Sequence, residues 1–223
     1  MTYRLDSDIP RPYGWFTEND SPQFYPPVEV KWMQPKPLTK VQKYKYSHPK
    51  KKLVAWIVSN CNTHSNREDY VELLKKHIQV DVFGDCGNMK CGRVDDHNSD
   101  DCDEMLENDY KFYLSFENSF CSGYVTEKFY KVLSLDIVPV VMGGADYEKK
   151  APPKSYINVL DYDSPKKLAE FLLKLDKDDE EYMSYFWWKV LQSLFKKNAY
   201  SFKILGTLHR SQQWKRALAS SYV

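Results

Sequence analysis

The chain has 223 residues, 42% hydrophobic and 28% charged, a length and balance that suit one large globular domain or two small ones and lie far from the disordered regime. Its 32 Lys and Arg against 31 Asp and Glu leave a formal charge of +1, which excludes the broad basic footprint of a non-specific nucleic-acid binder. The longest apolar runs, 53–58 and 137–144, are far too short to span a membrane, and nothing after Met1 reads as a signal peptide.

Residues 1–49 carry eight of the twelve prolines and no sustained periodicity, which predicts an extended, turn-rich lead-in with one short strand at 28–32. The basic cluster Lys50-Lys51-Lys52 then introduces 53–58, continuously apolar like a parallel-sheet strand buried on both faces. A polar loop, 59–66, leads to an amphipathic helix over 67–77, where Tyr70, Leu73 and Leu74 fall at helical spacing. The alternating stretch 78–83, closed by Gly84, completes a βαβ unit. Residues 86–101 are rich in Gly and Asp and read as a surface excursion held by cysteines. A third strand follows at 111–116, then a helix over 126–135, a fourth strand over 137–142 ending at Gly143-Gly144, and a fifth over 156–159. Ser164 and Pro165 suit the cap and first turn of a helix whose buried face is Leu168, Phe171, Leu172 and Leu175. A last helix over 178–196 carries Tyr182, Tyr185, Phe186, Trp187 and Trp188. Strand and helix alternate throughout, so the fold class is α/β with a Rossmann-like domain. Aromatics make up 15% of the chain, and its 17 Tyr can serve the core or wall a site for sugar-like or planar ligands.

In open parallel sheets ligands bind beyond the carboxyl ends of the strands. Three segments end there: 59–67, 117–128 and 143–145. Neither G-x-G-x-x-G nor G-x4-G-K-[ST] occurs, so dinucleotide and P-loop binding lack their sequence basis. A phosphate has a place at the N-terminus of the helix near Thr126, with Lys128 and Arg67 supplying charge. The plainer alternative has Thr126 capping the helix, with Glu127 and Lys128 as a solvated first turn. His64 is either a base or a solvated loop histidine. Asp6-Ser7-Asp8 and Asp161-Tyr162-Asp163 match the D-x-D pattern that holds a divalent metal on a nucleotide sugar, but such triplets arise easily by chance among 31 acidic residues. Asp161 and Asp163 equally suit the turn before Ser164. Of the five cysteines (Cys61, Cys86, Cys91, Cys102, Cys121), only Cys86-x4-Cys91 approaches a zinc spacing. Disulfides in a secretory-pathway protein are the alternative, with one thiol left over. The sequon Asn19-Asp20-Ser21 is followed by Pro22 and makes a poor acceptor.

The stretches 110–119 (YKFYLSFENS) and 124–129 (YVTEKF) resemble the signature of the α1,3-fucosyltransferases. The resemblance continues through 138–141, 151–157 and 182–188, and upstream through 3–9, 12–14 and 58–60 leading to Arg67. It implies a two-domain GT-B glycosyltransferase that transfers fucose, with inversion, from GDP-β-L-fucose to a GlcNAc hydroxyl. Carried over residue by residue, Arg67 and Lys128 would face the donor pyrophosphate and Glu127 the ribose hydroxyls. Tyr13, Ser59, Asn60, Tyr113, Asn118 and Tyr124 would complete the donor pocket. No tightly bound cofactor and no metal ligands are implied, and both D-x-D matches fall back to structural roles. Mn2+ would enter only as a stimulant of turnover.

The cysteine-rich phrases 86–91 and 117–121 look most like the invertebrate and plant branch, which acts on the innermost GlcNAc of N-glycans, with the Lewis-type branch as the alternative. The partners implied are GDP-fucose and an N-glycan acceptor, with no nucleic acid. The location implied is the Golgi membrane with the catalytic part in the lumen. Residues 1–49 would then be the residual end of an acceptor domain and a linker, 50–197 the donor-binding domain, and 198–223 a divergent tail without the family's closing Cys-x-x-Cys. The membrane anchor, most of the acceptor domain and the family's catalytic Glu are expected to lie outside this chain; Glu18 and Glu29 match no family motif. A GDP-fucose-binding fragment without activity of its own is therefore the second reading. On neighbouring donor-site loops, Cys61 and Cys121 are expected to pair, and Cys86 to pair with Cys91 or Cys102.

Overall fold

The computed structural model describes residues 3–4, 6–8, 10–18, 31–46, 49–91, 99–189 and 200–204. In chain order the elements are β1 (Gly14–Glu18), α1 (Lys40–Tyr46), β2 (Lys52–Ile57), α2 (Arg67–Leu74), β3 (Val80–Phe83), α3 (Ser99–Asp109), β4 (Tyr110–Phe116), α4 (Glu127–Ser134), β5 (Val138–Met142), β6 (Ile157–Asn158), α5 (Pro165–Asp176), α6 (Asp179–Met183) and β7 (Tyr200–Ile204). The five strands β2 to β6 form a parallel sheet in the order β3-β2-β4-β5-β6. Val54 stands beside Val80 on one side and Phe112 on the other, and Phe112 stands beside Val138.

The continuous apolar runs have a direct cause: every residue of β4 and β5 is buried, because helices cover both faces of the sheet. On one face, α2 and α5 pack over Val54, Trp56, Phe112, Leu114 and Phe116, with Val71, Leu74, Leu168 and Leu172 as their buried stripes. On the other, Leu106 of α3 and Val132 of α4 close over Ala55 and Tyr113. Phe112 and Phe116 are fully buried, each stabilising the fold by roughly 1.5–3 kcal/mol through the area removed from water. The Ser164 hydroxyl accepts from the Lys167 N–H with Pro165 at the first helical position, as that dipeptide predicts.

Several expectations change in detail. α2 ends at Leu74, with a turn over 75–77, and β3 starts at Val80. The polar stretch expected to be only a surface excursion contains α3, whose acidic sequence hides the buried Leu106. β1, α1 and β7 were not anticipated at all; β1 and β7 pair antiparallel as a ribbon apart from the main sheet. Of the predicted strand at 28–32, residues 28–30 lie outside the described residues, and 31–32 are not in a strand. The last predicted helix is α6 followed by a 3-10 turn over Ser184–Phe186, and its portion beyond 189 lies outside the described residues, as do the sequon Asn19 and Glu29.

Strand order also decides the disulfides. Because β2 lies beside β3, the loops at their carboxyl ends adjoin, and Cys61 bonds to Cys86 with 5.4 Å between their Cα atoms. Cys91 bonds to Cys102 of α3. The expected Cys61–Cys121 pair is thus corrected, as are both pairings proposed for Cys86; Cys121 is an exposed thiol outside any disulfide. With Cys86 and Cys91 both oxidised, neither is a thiolate available to zinc.

Candidate donor-binding site

From β2 the chain crosses through α2 to β3 on one side, whereas β4 leads through α4 to β5 on the other. The order therefore reverses between β2 and β4, so the loops that follow them border the switch point at which doubly wound sheets bind ligands, a crevice in folds of this kind. Ser59 and Asn60 stand exposed on the first loop, beyond the end of β2. The second loop, 117–126, joins the first through the Ser65 N–H, which donates to the Asn118 carbonyl at 3.1 Å, and leads into the N-terminus of α4.

That N-terminus is capped. The Thr126 hydroxyl accepts from the Lys128 N–H at 3.4 Å, so the plainer reading of Thr126 holds. Glu127 is exposed in the first turn, whereas Lys128 is not merely solvated: its side chain is 26% exposed. Its ammonium donates to Thr126 Oγ1 at 3.1 Å and lies 3.4 Å from Glu127 Oε1 and 3.7 Å from Glu117 Oε2. An ammonium and the positive end of a helix dipole converge there. The Ser115 hydroxyl donates to the Lys128 carbonyl at 2.8 Å and fixes the helix start to β4.

Arg67 comes from the other side of the crevice. Its side chain is only 3% exposed, and the guanidinium lies over the Trp56 ring. Nη1 donates to the Phe116 carbonyl at 2.7 Å, Nη2 to the Asn60 carbonyl at 3.0 Å and Nε to Glu68 at 3.1 Å. Two of its five N–H groups thus tie the ends of β4 and β2 together and a third holds Glu68, leaving two without a partner among the described residues. Asn66, in the left-handed region at φ 51°, turns the chain so that α2 starts with Arg67 pointing inward.

Asn118 is half-buried, and its Oδ1, itself enclosed, finds no hydrogen-bond partner among the described residues. Tyr124 is also half-buried; burial first, then the nearby Glu117 and Tyr13, pushes its phenol up to about 12. Tyr3 meets Tyr124 edge-on at 4.9 Å, and Tyr13 is 38% exposed, so three tyrosines rim the opening. Tyr113 does not share this setting. It is buried in the core under α4, and burial raises its phenol well above the ordinary value, partly offset by a hydrogen bond with the Ile57 backbone and by the Arg67 charge. It lies mid-strand, with its phenol within reach of the Arg67 and Glu127 charges. His64 is exposed on the first loop. Of the D-x-D triplets, Asp6 pairs with Arg4 at 2.5 Å, and Asp161 ends a 3-10 turn.

The residue that sequence reasoning passed over is Glu117. Its carboxylate is fully buried and accepts from the Thr126 N–H at 2.7 Å and from the Thr126 hydroxyl at 2.9–3.0 Å. Burial raises its carboxyl above the usual range, while Lys128 and the Thr126 donors pull it back. An acid following a fully buried strand was the available signal: it needs a partner, and Thr126 and Lys128 supply one. Gly143 and Gly144 leave room for this arrangement. A Cβ on Gly144 would stand 2.4 Å from the Phe120 carbonyl, and one on Gly143 2.7 Å from the Tyr147 hydroxyl.

Residues 47–217 match the model of glycosyltransferase family 10 (fucosyltransferase), C-terminal part. The chain belongs to this family. Family 10 relatives include the glycoprotein 3-alpha-L-fucosyltransferase A of Drosophila melanogaster, 44% identical over 218 residues that make up 96% of this chain and 40% of the relative. The alpha-(1,3)-fucosyltransferase C of the same fly is 41% identical over 85% of this chain and 44% of its own length. The chain thus spans under half the length of these relatives. A crystal structure of an α1,3-fucosyltransferase with GDP-fucose superposes with a TM-score of 0.54 at 26% identity, covering 67% of this chain and 42% of that one. One with GDP gives a TM-score of 0.53 at the same identity, over 62% of this chain and 38% of that one. The α/β architecture expected from the strand pattern is therefore that of family 10.

Proposed function

We propose that this chain is the donor-binding part of an inverting α1,3-fucosyltransferase that moves L-fucose from GDP-β-L-fucose to a GlcNAc of glycoprotein N-glycans, the innermost GlcNAc by preference. The observation that carries the reading is the convergence of Lys128, the capped N-terminus of α4 and Arg67 on one crevice. In a single displacement at the fucose anomeric carbon, GDP departs and negative charge builds on its β-phosphate. Fixed cations and backbone N–H groups aimed at that charge lower the barrier more than mobile water does. Lys128 and the two remaining Arg67 N–H groups fill that role, Glu127 takes the ribose hydroxyls, and Asn118, Tyr124, Tyr13, Ser59 and Asn60 border the donor. Tyr113 supports the floor from within the core. Protein cations offset the charge on the diphosphate, so no bridging metal is needed there and Mn2+ would enter only as a stimulant of turnover.

The attacking hydroxyl also needs a base. Glu68, Glu117 and Glu127, which border the crevice, are each engaged: Glu68 with Arg67 and Thr63, Glu117 with Thr126 and Lys128, Glu127 with Lys128. This supports an acceptor-side carboxylate from outside the residues described here, and GDP binding with little transfer by residues 1–223 alone. Two disulfides suit an oxidising lumen and support a Golgi location. No helix among the described residues is long and apolar enough to cross a membrane.

The test is turnover by the full-length polypeptide that carries this chain, supplied with GDP-fucose and an N-glycan ending in GlcNAc, with the product sequenced by tandem mass spectrometry. Fucose α1,3-linked to the innermost GlcNAc is expected. Failure to bind or consume GDP-fucose would overturn the proposal, and fucose on an outer GlcNAc would replace the core acceptor with the Lewis type.

A further inference from the structure

Glu117 lies where the elements bordering the crevice meet. Its N–H donates to the Met142 carbonyl at 2.9 Å, at the end of β5, and its own carbonyl accepts from the Ser65 hydroxyl at 2.7 Å, on the loop after β2. Its carboxylate reaches in the third direction, to α4. Thr126 has a single hydroxyl proton, and its two neighbours, Lys128 and Glu117, fix where that proton goes. Lys128 Nζ, 3.1 Å from Thr126 Oγ1, has only protons to give, so Oγ1 is the acceptor in that contact. The hydroxyl proton is thereby directed to the Glu117 carboxylate, 2.9–3.0 Å away. The result is a directed chain, Lys128 Nζ to Thr126 Oγ1 to Glu117, reinforced by the direct 3.7 Å attraction between Lys128 Nζ and Glu117 Oε2. A neutral amide at 117 keeps the shape but removes that attraction, and its NH2 end competes as a donor for the same hydroxyl. The ammonium then keeps Glu127 but loses Glu117 and part of its hold on Thr126.

Resting on the donor-site reading above, we propose that Glu117 is a positioning residue for donor binding: through Thr126 it holds the Lys128 ammonium at the mouth of the crevice, where the diphosphate docks. Glu117 touches no donor atom itself, since it is fully buried behind Thr126. A purely structural role would look different. An acid that only secured the fold would affect ligand binding equally whether or not Lys128 were present.

The experiment is a double-mutant cycle on the full-length polypeptide, with GDP binding measured by titration calorimetry for wild type, Glu117→Gln, Lys128→Ala and the double variant. Lys128→Ala is expected to weaken GDP binding strongly. Glu117→Gln alone should weaken it by about tenfold, within the range of couplings between contacting residues, and should have no further effect once Lys128 is Ala. Should Glu117→Gln fail to fold, Thr126→Val, which removes the intermediate hydroxyl at constant shape, is expected to give the same non-additive pattern with Lys128→Ala. Equal weakening in both backgrounds would overturn the proposal in favour of a structural role. So would unchanged affinity in Glu117→Gln while Lys128→Ala binds poorly. Unchanged affinity in Lys128→Ala itself would overturn the donor-site reading along with it, a failure distinct from the other two.

Discussion

Replacing Arg67 by Ala separates two roles that its position combines. If Arg67 served only an incoming diphosphate, the ligand-free protein would not register its loss. The structure says otherwise, because its guanidinium is almost fully enclosed and holds the Phe116 and Asn60 carbonyls at 2.7 and 3.0 Å. A hydrogen bond from a charged donor contributes roughly 1.5–3 kcal/mol, so losing two of them removes about 3–6 kcal/mol. At about 2–4 °C per kcal/mol for a domain of this size, even the lower figure lowers Tm by about 6–12 °C. Arg67→Lys should fall between, since one ammonium on a shorter stem cannot span both carbonyls with fork geometry. The assay is thermal and urea unfolding of wild type and both variants without nucleotide. A ligand-free Arg67→Ala protein as stable as wild type would refute the bracing argument and leave Arg67 a ligand residue alone.

Two further outcomes follow from other parts of the molecule. Chain-entropy arithmetic gives about 3.5 kcal/mol for the Cys61–Cys86 bond, with its separation of 25, and about 2.8 kcal/mol for Cys91–Cys102, with its separation of 11. Cys61→Ser/Cys86→Ser should therefore lower the urea midpoint more than Cys91→Ser/Cys102→Ser, and non-reducing peptide mapping that links Cys61 to Cys121 would contradict the pairing. Burial lowers Lys50 from 10.5 to about 8, with Asp136 and Glu107 opposing the change. The unfolded chain then binds more protons between about pH 8 and 10.5, so this group's penalty, on the order of 3 kcal/mol below pH 8, fades as pH rises through that window. Lys50→Met should remove this rising component; an identical pH profile of stability in the variant would count against it.

The central sheet was legible because burial on both faces leaves a mark: 53–58, 111–116 and 137–142 are short, mostly apolar runs in a chain this polar elsewhere. The Ser164-Pro165 helix start was equally legible, since cap chemistry is local. Helix α3 was not, because Leu106 and Cys102 act through neighbours distant in sequence while Asp and Glu dominate the local reading. The disulfides were misread for the same reason: which loops adjoin depends on strand order, and order is not a local property. At the site, Lys128, Asn118 and Tyr124 belong to one phrase, and the structure sets Lys128 and Tyr124 close to the Glu117 charge. Tyr113 belongs to the same phrase, but the alternation of a strand turns it to the face covered by α3 and α4. Glu117 belongs to that phrase too, but an acid followed by Asn and Ser looks solvated until burial is known.

The β1–β7 ribbon bears on the order of folding. Its innermost pair, Glu18 with Tyr200, joins residues 182 positions apart. Closing a chain loop of that length costs about 5 kcal/mol in entropy before the first rung forms, and five residues of isolated two-stranded pairing return little in water. The ribbon can zip only after the parallel sheet has shortened the effective loop and offered a surface. The fit of Gly14 against Tyr130 suggests which surface: a Cβ there would stand 2.6 Å from the ring, which belongs to α4. The helix that presents Lys128 therefore takes on its full set of neighbours last, and the binding end of this domain matures after its core.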